Sequence, residues 1–151
     1  MTMILGIDAQ IEVMRTIWPE LALVAREAET AMWEGPVRPL LQTYRIGILY
    51  RAPMLIENLD PRRLQPRVSI ISPTLRPRRG DPEGRLPHVY YDLDGKVTLC
   101  LLDPGAGDWS PADLIAKTTV PWTIEWLAAY EGWRATGKWT ASGRHVETAR
   151  G

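Results

Sequence analysis

Few residues in this 151-residue chain can carry covalent chemistry: one cysteine, Cys100, and two histidines, His88 and His145. A cysteine has two readings. Ionised, its sulfur is a strong nucleophile that forms and passes on acyl groups. Left protonated, it is a small apolar side chain, and free cysteines are among the most buried residues. Composition alone leans to the second reading, and the neighbouring sequence lends support to the first. Cys100 lies near the end of the apolar run Val97-Thr98-Leu99-Cys100-Leu101-Leu102, just before the Gly- and Pro-containing segment Asp103 to Asp108, which leaves room for a substrate. One cysteine makes no internal disulfide, and with two histidines it makes no ordinary zinc cage. Neither a metal nor a cofactor is expected.

Composition narrows the class. Apolar residues are 45% and charged residues 24% of the chain, as in ordinary globular proteins. Eighteen basic residues balance eighteen acidic ones. That lacks the net positive field of a general nucleic-acid or membrane-surface binder, so neither partner is expected. Glu12 and Arg15 interrupt the N-terminal apolar stretch, so a signal peptide or membrane span is not expected and the chain is read as cytoplasmic.

The elements that would position Cys100 follow from periodicity. Ile11, Met14, Trp18, Leu21, Ala25, Ala28 and Met32 recur at spacings of three and four, which predicts a long amphipathic helix. Asp8 is its expected N-cap, with a kink or a second helix start at Pro19, and Gly35, Pro36 and Pro39 end it. Tyr44, Ile46, Ile48 and Tyr50 alternate with polar or small residues as a half-buried strand does. Met54 to Ile56 and Val68 to Ile71 are two further strand candidates. Short separators between them favour antiparallel neighbours.

The Pro-, Gly- and Arg-rich stretch from 72 to 88 reads as a loop, with Arg76, Arg78, Arg79 and Arg85 as a solvated charge run or an anion contact. A turn around Asp92-Leu93-Asp94-Gly95 precedes the strand that carries Cys100. Ser110-Pro111-Ala112-Asp113 predicts the start of a short helix to about Thr118. Pro121 opens a second helix, with Trp122, Trp126 and Trp133 as packing residues on it. Residues 1 to 134 are read as a single domain and 135 to 151 as a loosely held tail. The order of elements is that of an α+β fold, with helices gathered around an antiparallel sheet.

Several segments carry a family resemblance, and the first two are the specific ones. Gly95-Lys-Val-Thr-Leu-Cys100-Leu101 and Trp109-Ser110-Pro111-Ala112 resemble the Gly-to-Cys stretch and the following Trp-Ser-Pro-Ala of ubiquitin-conjugating (E2) enzymes. Pro66-Arg67-Val68-Ser69-Ile70 with Ser72-Pro73 is similar to that family's third strand. Leu86-Pro87-His88-Val89-Tyr90 stands where the family has His-Pro-Asn. The Trp-rich C-terminal part, from Pro121 through Trp139 to His145, resembles the small bacterial E2-like proteins of anti-phage (CBASS) systems, which accompany a cGAS-like nucleotidyltransferase.

The resemblance implies an N-terminal helix, a four-stranded antiparallel meander and C-terminal helices over roughly residues 8 to 134. It implies that Cys100 takes a protein's C-terminal acyl group as a thioester and passes it to an amine. The cGAS-like enzyme is then the partner, as donor, target or both. One departure matters: the family's oxyanion-binding asparagine is missing, and the chain's only asparagine is Asn58. His88 is the first substitute donor, then Tyr90 and Tyr91; Asp103 either orients an amine or only shapes a turn. His145 falls in the tail and is read as exposed. Two other readings stand beside this one: an inert E2-like docking module, supported by the missing asparagine, and a Cys-His hydrolase using Cys100 and His88.

Overall fold

The computed structural model describes residues 4–53, 64–80, 85–101 and 109–139. Helix α1 (Ile7–Ile17) buries Ile7, Gln10 and Met14 on one face. It is shorter than the periodicity predicted, and Pro19 is the reason. Trp18 leaves the helical region (φ −125°, ψ 67°), as a residue before proline must when the ring crowds its backbone. Gly6 rather than Asp8 is the N-cap, without a side-chain cap bond. Asp8 sits instead in the first turn, where a negative charge suits the helix dipole, and pairs with Arg26.

The rest of the supposed helix is a β-hairpin. Strands β1 (Ala22–Glu27) and β2 (Thr30–Val37) pair antiparallel across the two-residue turn Ala28-Glu29. Along β2 burial alternates, with Ala31, Trp33, Gly35 and Val37 facing the core. Gly35 has to be glycine: a Cβ there would stand 2.3 Å from the Glu20 carbonyl oxygen, where the chain crosses over β2. Strand β3 (Tyr44–Arg51) matches its predicted alternation, burying Tyr44, Ile46, Ile48 and Tyr50. Strand β4 (Arg67–Ser72) pairs with it, Ile48 opposite Val68 and Ile46 opposite Ile70. The sheet order β1-β2-β3-β4 is a four-stranded antiparallel meander, and the fold is α+β as expected. The strand expected at Met54 to Ile56 lies outside the described residues, so the meander's first two strands come from the stretch read as helix.

A second hairpin joins β5 (Val89–Tyr91) to β6 (Val97–Leu99). Its turn is where the sequence puts it: the Asp92 carboxylate accepts from the Asp94 and Lys96 N–H groups at 2.9 and 2.7 Å. Ser110 to Asp113 does not begin an α-helix. It forms a tight turn, with the Ser110 N–H donating to the Asp113 carboxylate at 2.8 Å, followed by a 3-10 turn over Ile115–Lys117. The cause is tertiary. The buried Gln10 amide donates to the Asp113 carbonyl (2.8 Å) and accepts the Ile115 N–H (2.9 Å), supplying partners that a helix would otherwise provide. The Trp18 indole adds a third bond, to the Ala116 carbonyl (2.7 Å).

Helix α2 (Thr119–Thr136) then runs through the predicted tryptophans, burying Trp126 and Trp133. It starts two residues before Pro121, which sits in the first turn, where its missing N–H removes no helical bond. The 72–88 loop is partly pinned to this helix. The Tyr130 hydroxyl accepts from the Arg76 N–H at 2.8 Å, and Arg78 lies against Gly137. Arg76, Arg79 and Arg85 are exposed.

Candidate functional site

Cys100 sits one residue beyond β6, where the strand ladder makes its last described bond: the Cys100 N–H donates to the His88 carbonyl at 3.0 Å. Val89 faces Leu99 and Tyr90 faces Thr98, so His88 stands opposite Cys100. Residues two apart on a strand share a face. Tyr90 therefore reaches the same side, and the Cys100 thiol donates to its hydroxyl oxygen at 3.2 Å. The fold thus brings together the three residues singled out for chemistry, Cys100, His88 and Tyr90, on one small hairpin. Cys100 is partly exposed rather than sealed in the core.

Tyr91 is not part of this group. It pairs with Val97, alternates to the other side of the strand, and is exposed. Asp103, Asn58 and His145 lie outside the described residues. Two clefts, of about 340 and 640 Å³, lie elsewhere: the first between Met32, Ile70, Leu86 and Val97, the second between Leu41, Tyr44 and Glu131. Neither includes Cys100 in its lining.

His88 is held unusually firmly. Its backbone is left-handed (φ 52°), a region uncommon for non-glycine residues though more open to histidine than to most. Two donors converge on its carbonyl: the Cys100 N–H and the Trp126 indole N–H, each at 3.0 Å. Burial pulls the His88 pKa below its ordinary value, because the cation loses more hydration than the neutral ring. The imidazole is therefore neutral at pH 7 and able to take a proton or share one.

Two residues of this site escaped the sequence reading. Trp126 was expected to pack, which it does, but its N–H also fixes the His88 carbonyl. Trp139 was assigned to the tail, yet its ring centroid lies 4.9 Å from that of His88. No periodicity marks either role; the only sequence signal is the late clustering of tryptophans.

Chemically, the arrangement offers a thiol on a partly buried residue, a phenol in hydrogen-bond contact with it, and a neutral imidazole across the strand pair. Among the described residues no group of three His, Cys, Asp or Glu side chains could hold a metal ion. No helix among them is long and apolar enough to cross a membrane. A family model described as Type II CBASS E2 protein matches residues 10–146. No curated protein matches the chain.

Proposed function

The chain belongs to the type II CBASS E2 protein family, and so to anti-phage defence; from that premise we propose that Cys100 is an acyl-carrying nucleophile. Its thiolate adds to the activated C-terminal carbonyl of a partner protein, and the partner's leaving group departs with the bonding pair, giving a thioester. An amine then adds to the thioester carbonyl, the Cys100 sulfur leaves as thiolate, and the amine gives up one proton. The product is an amide or isopeptide bond.

The observation that carries this reading is Cys100, a residue only partly buried, with its thiol bonded to Tyr90 and its backbone N–H to His88 at the end of a hairpin. A neutral His88 suits the second step, where it takes the amine's proton. His88 and Tyr90 also replace the asparagine that the conjugating enzymes use toward the oxyanion. One such donor typically lowers a barrier by about 3 kcal/mol. A strand leads up to the thiol, whereas many cysteine hydrolases lower the thiol pKa at a helix N-terminus, and this weighs against a hydrolase. The partner is a cGAS-like nucleotidyltransferase of the same defence system, whose C-terminus supplies the acyl group or whose lysine receives it.

The test is to mix the protein with that nucleotidyltransferase and with the components that accompany it, then compare reducing and non-reducing gels. A heavier band that thiol removes, and that Cys100→Ala lacks, is expected. A complex that survives both treatments would instead make the protein a docking module.

A further inference from the structure

The chain reverses as soon as α2 ends. Gly137 takes φ +82°, open to glycine at little cost, and its N–H donates back to the Trp133 carbonyl at 2.7 Å. The turn sends Trp139 back over the helix. Its ring centroid stands 5.1 Å from that of Trp126, 6.4 Å from Trp133 and 4.9 Å from His88. The Trp139 indole N–H is buried without an acceptor among the described residues. Ring packing therefore holds this side chain in place against the cost of a desolvated donor.

We propose that Trp139 is a positioning residue of the Cys100 site: folded back from the end of α2, it packs on the His88 imidazole and fixes the orientation of that ring at the strand position opposite Cys100. The functional weight of this role rests on the thioester reading, but its geometry does not. Two hydrogen bonds hold the His88 carbonyl and so restrain the main chain. They leave the side-chain torsions to be set by what touches the ring, and Trp139 touches it.

The same contact explains the chemistry of the imidazole. The hairpin brings the Cys100 thiol and the Tyr90 phenol to this face. Helix α2 brings Trp126, with the Tyr130 phenol stacked behind it, and the returning turn brings Trp139, with the exposed Lys138 beside it. Burial rather than a neighbouring charge is what lowers the His88 pKa, and a large aromatic ring laid against the imidazole contributes that burial.

The test is an NMR titration of the full-length chain carrying His145→Gln, which leaves His88 as the sole histidine signal. In the parent, His88 should titrate below its ordinary value of 6.5. In Trp139→Ala its midpoint should climb toward 6.5, while Trp139→Phe, which keeps a ring in place, should preserve the lowered value. Equal midpoints in all three would overturn the proposal. So would the absence of cross-relaxation between the Trp139 and His88 ring protons in the parent, a measurement that needs no variant to fold. With the partner present, Trp139→Ala should discharge the Cys100 adduct about tenfold more slowly, within the ~100-fold that ångström-scale misplacement costs. Its formation rate should stay unchanged. Movement of the His88 midpoint in a protein that never forms a thiol-labile adduct would support the positioning role and refute the thioester reading.

Discussion

Replacing Gln10 with methionine should cost this fold about 3 kcal/mol, although the two side chains are nearly equal in volume. Gln10 is 1% exposed, and its amide satisfies two main-chain groups far along the chain: the Asp113 carbonyl at 2.8 Å and the Ile115 N–H at 2.9 Å. Ile115 is fully buried, so its N–H finds no water once the amide is gone. A buried donor left unpaired costs about 1–3 kcal/mol. The Asp113 carbonyl belongs to a half-buried residue and recovers part of its bond from solvent, so the second loss is nearer 1 kcal/mol. Methionine fills the space, so no cavity is added. For a chain of this size the loss lowers the melting temperature by about 6–12 °C. Urea unfolding followed by tryptophan fluorescence measures it. A loss below about 1 kcal/mol would refute the claim that Gln10 holds the 109–117 segment in its non-helical form. Gln10→Glu sharpens the test. A protonated carboxyl both donates and accepts as the amide does, whereas the carboxylate is a buried charge. Its folded pKa is raised, so the variant should be nearest the parent below the unfolded value of about 4.3 and lose stability as pH rises above it.

His88 makes the opposite linkage. Its folded pKa is depressed, so the stability it contributes is present above 6.5 and is lost as pH falls through the lower folded value. His88→Gln should flatten that part of a stability–pH profile, and an unchanged slope would mean the ring is solvated. His88→Ala should slow discharge of the thioester more than its formation; equal effects on both rates would remove His88 from the second step. Trp126→Phe deletes the indole N–H that holds the His88 carbonyl, and should cost about 1–2 kcal/mol by denaturation while slowing transfer. Gly35→Ala forces backbone apart at a 2.3 Å contact and should cost at least about 2 kcal/mol, against a loss well under that for an alanine at the sterically open N-cap Gly6.

The hairpin that carries Cys100 was legible because its signals are local. Asp92-Leu93-Asp94-Gly95 is a turn by its own side-chain chemistry, and the apolar run up to Cys100 is too short and too β-branched to suggest anything but a strand. Strand β3 and helix α2 were legible for the same reason: an alternation of two and a recurrence of three to four, each kept over enough residues to be distinct. The N-terminal hairpin was not legible. Its turn is Ala28-Glu29, with Ala28 at φ +50° and no glycine or asparagine to announce it, while Leu21, Ala25 and Met32 fall by chance at helical spacing. The signal in the sequence was Pro19, and its effect on Trp18 outweighed the apolar stripe.

Residue type and short-range order alone determined that the chain has one thiol for chemistry, that a turn and strand lead up to it, and that an aromatic helix follows. Those facts depend on neighbours a few positions apart. Only tertiary structure decided that the Trp126 N–H would share the His88 carbonyl with Cys100, that Trp139 would return to cover the imidazole, and that Gln10 would unwind a promising helix start. Each of these joins groups separated by tens of residues, where a hydrogen bond or a ring contact depends on angstroms that no spacing rule encodes.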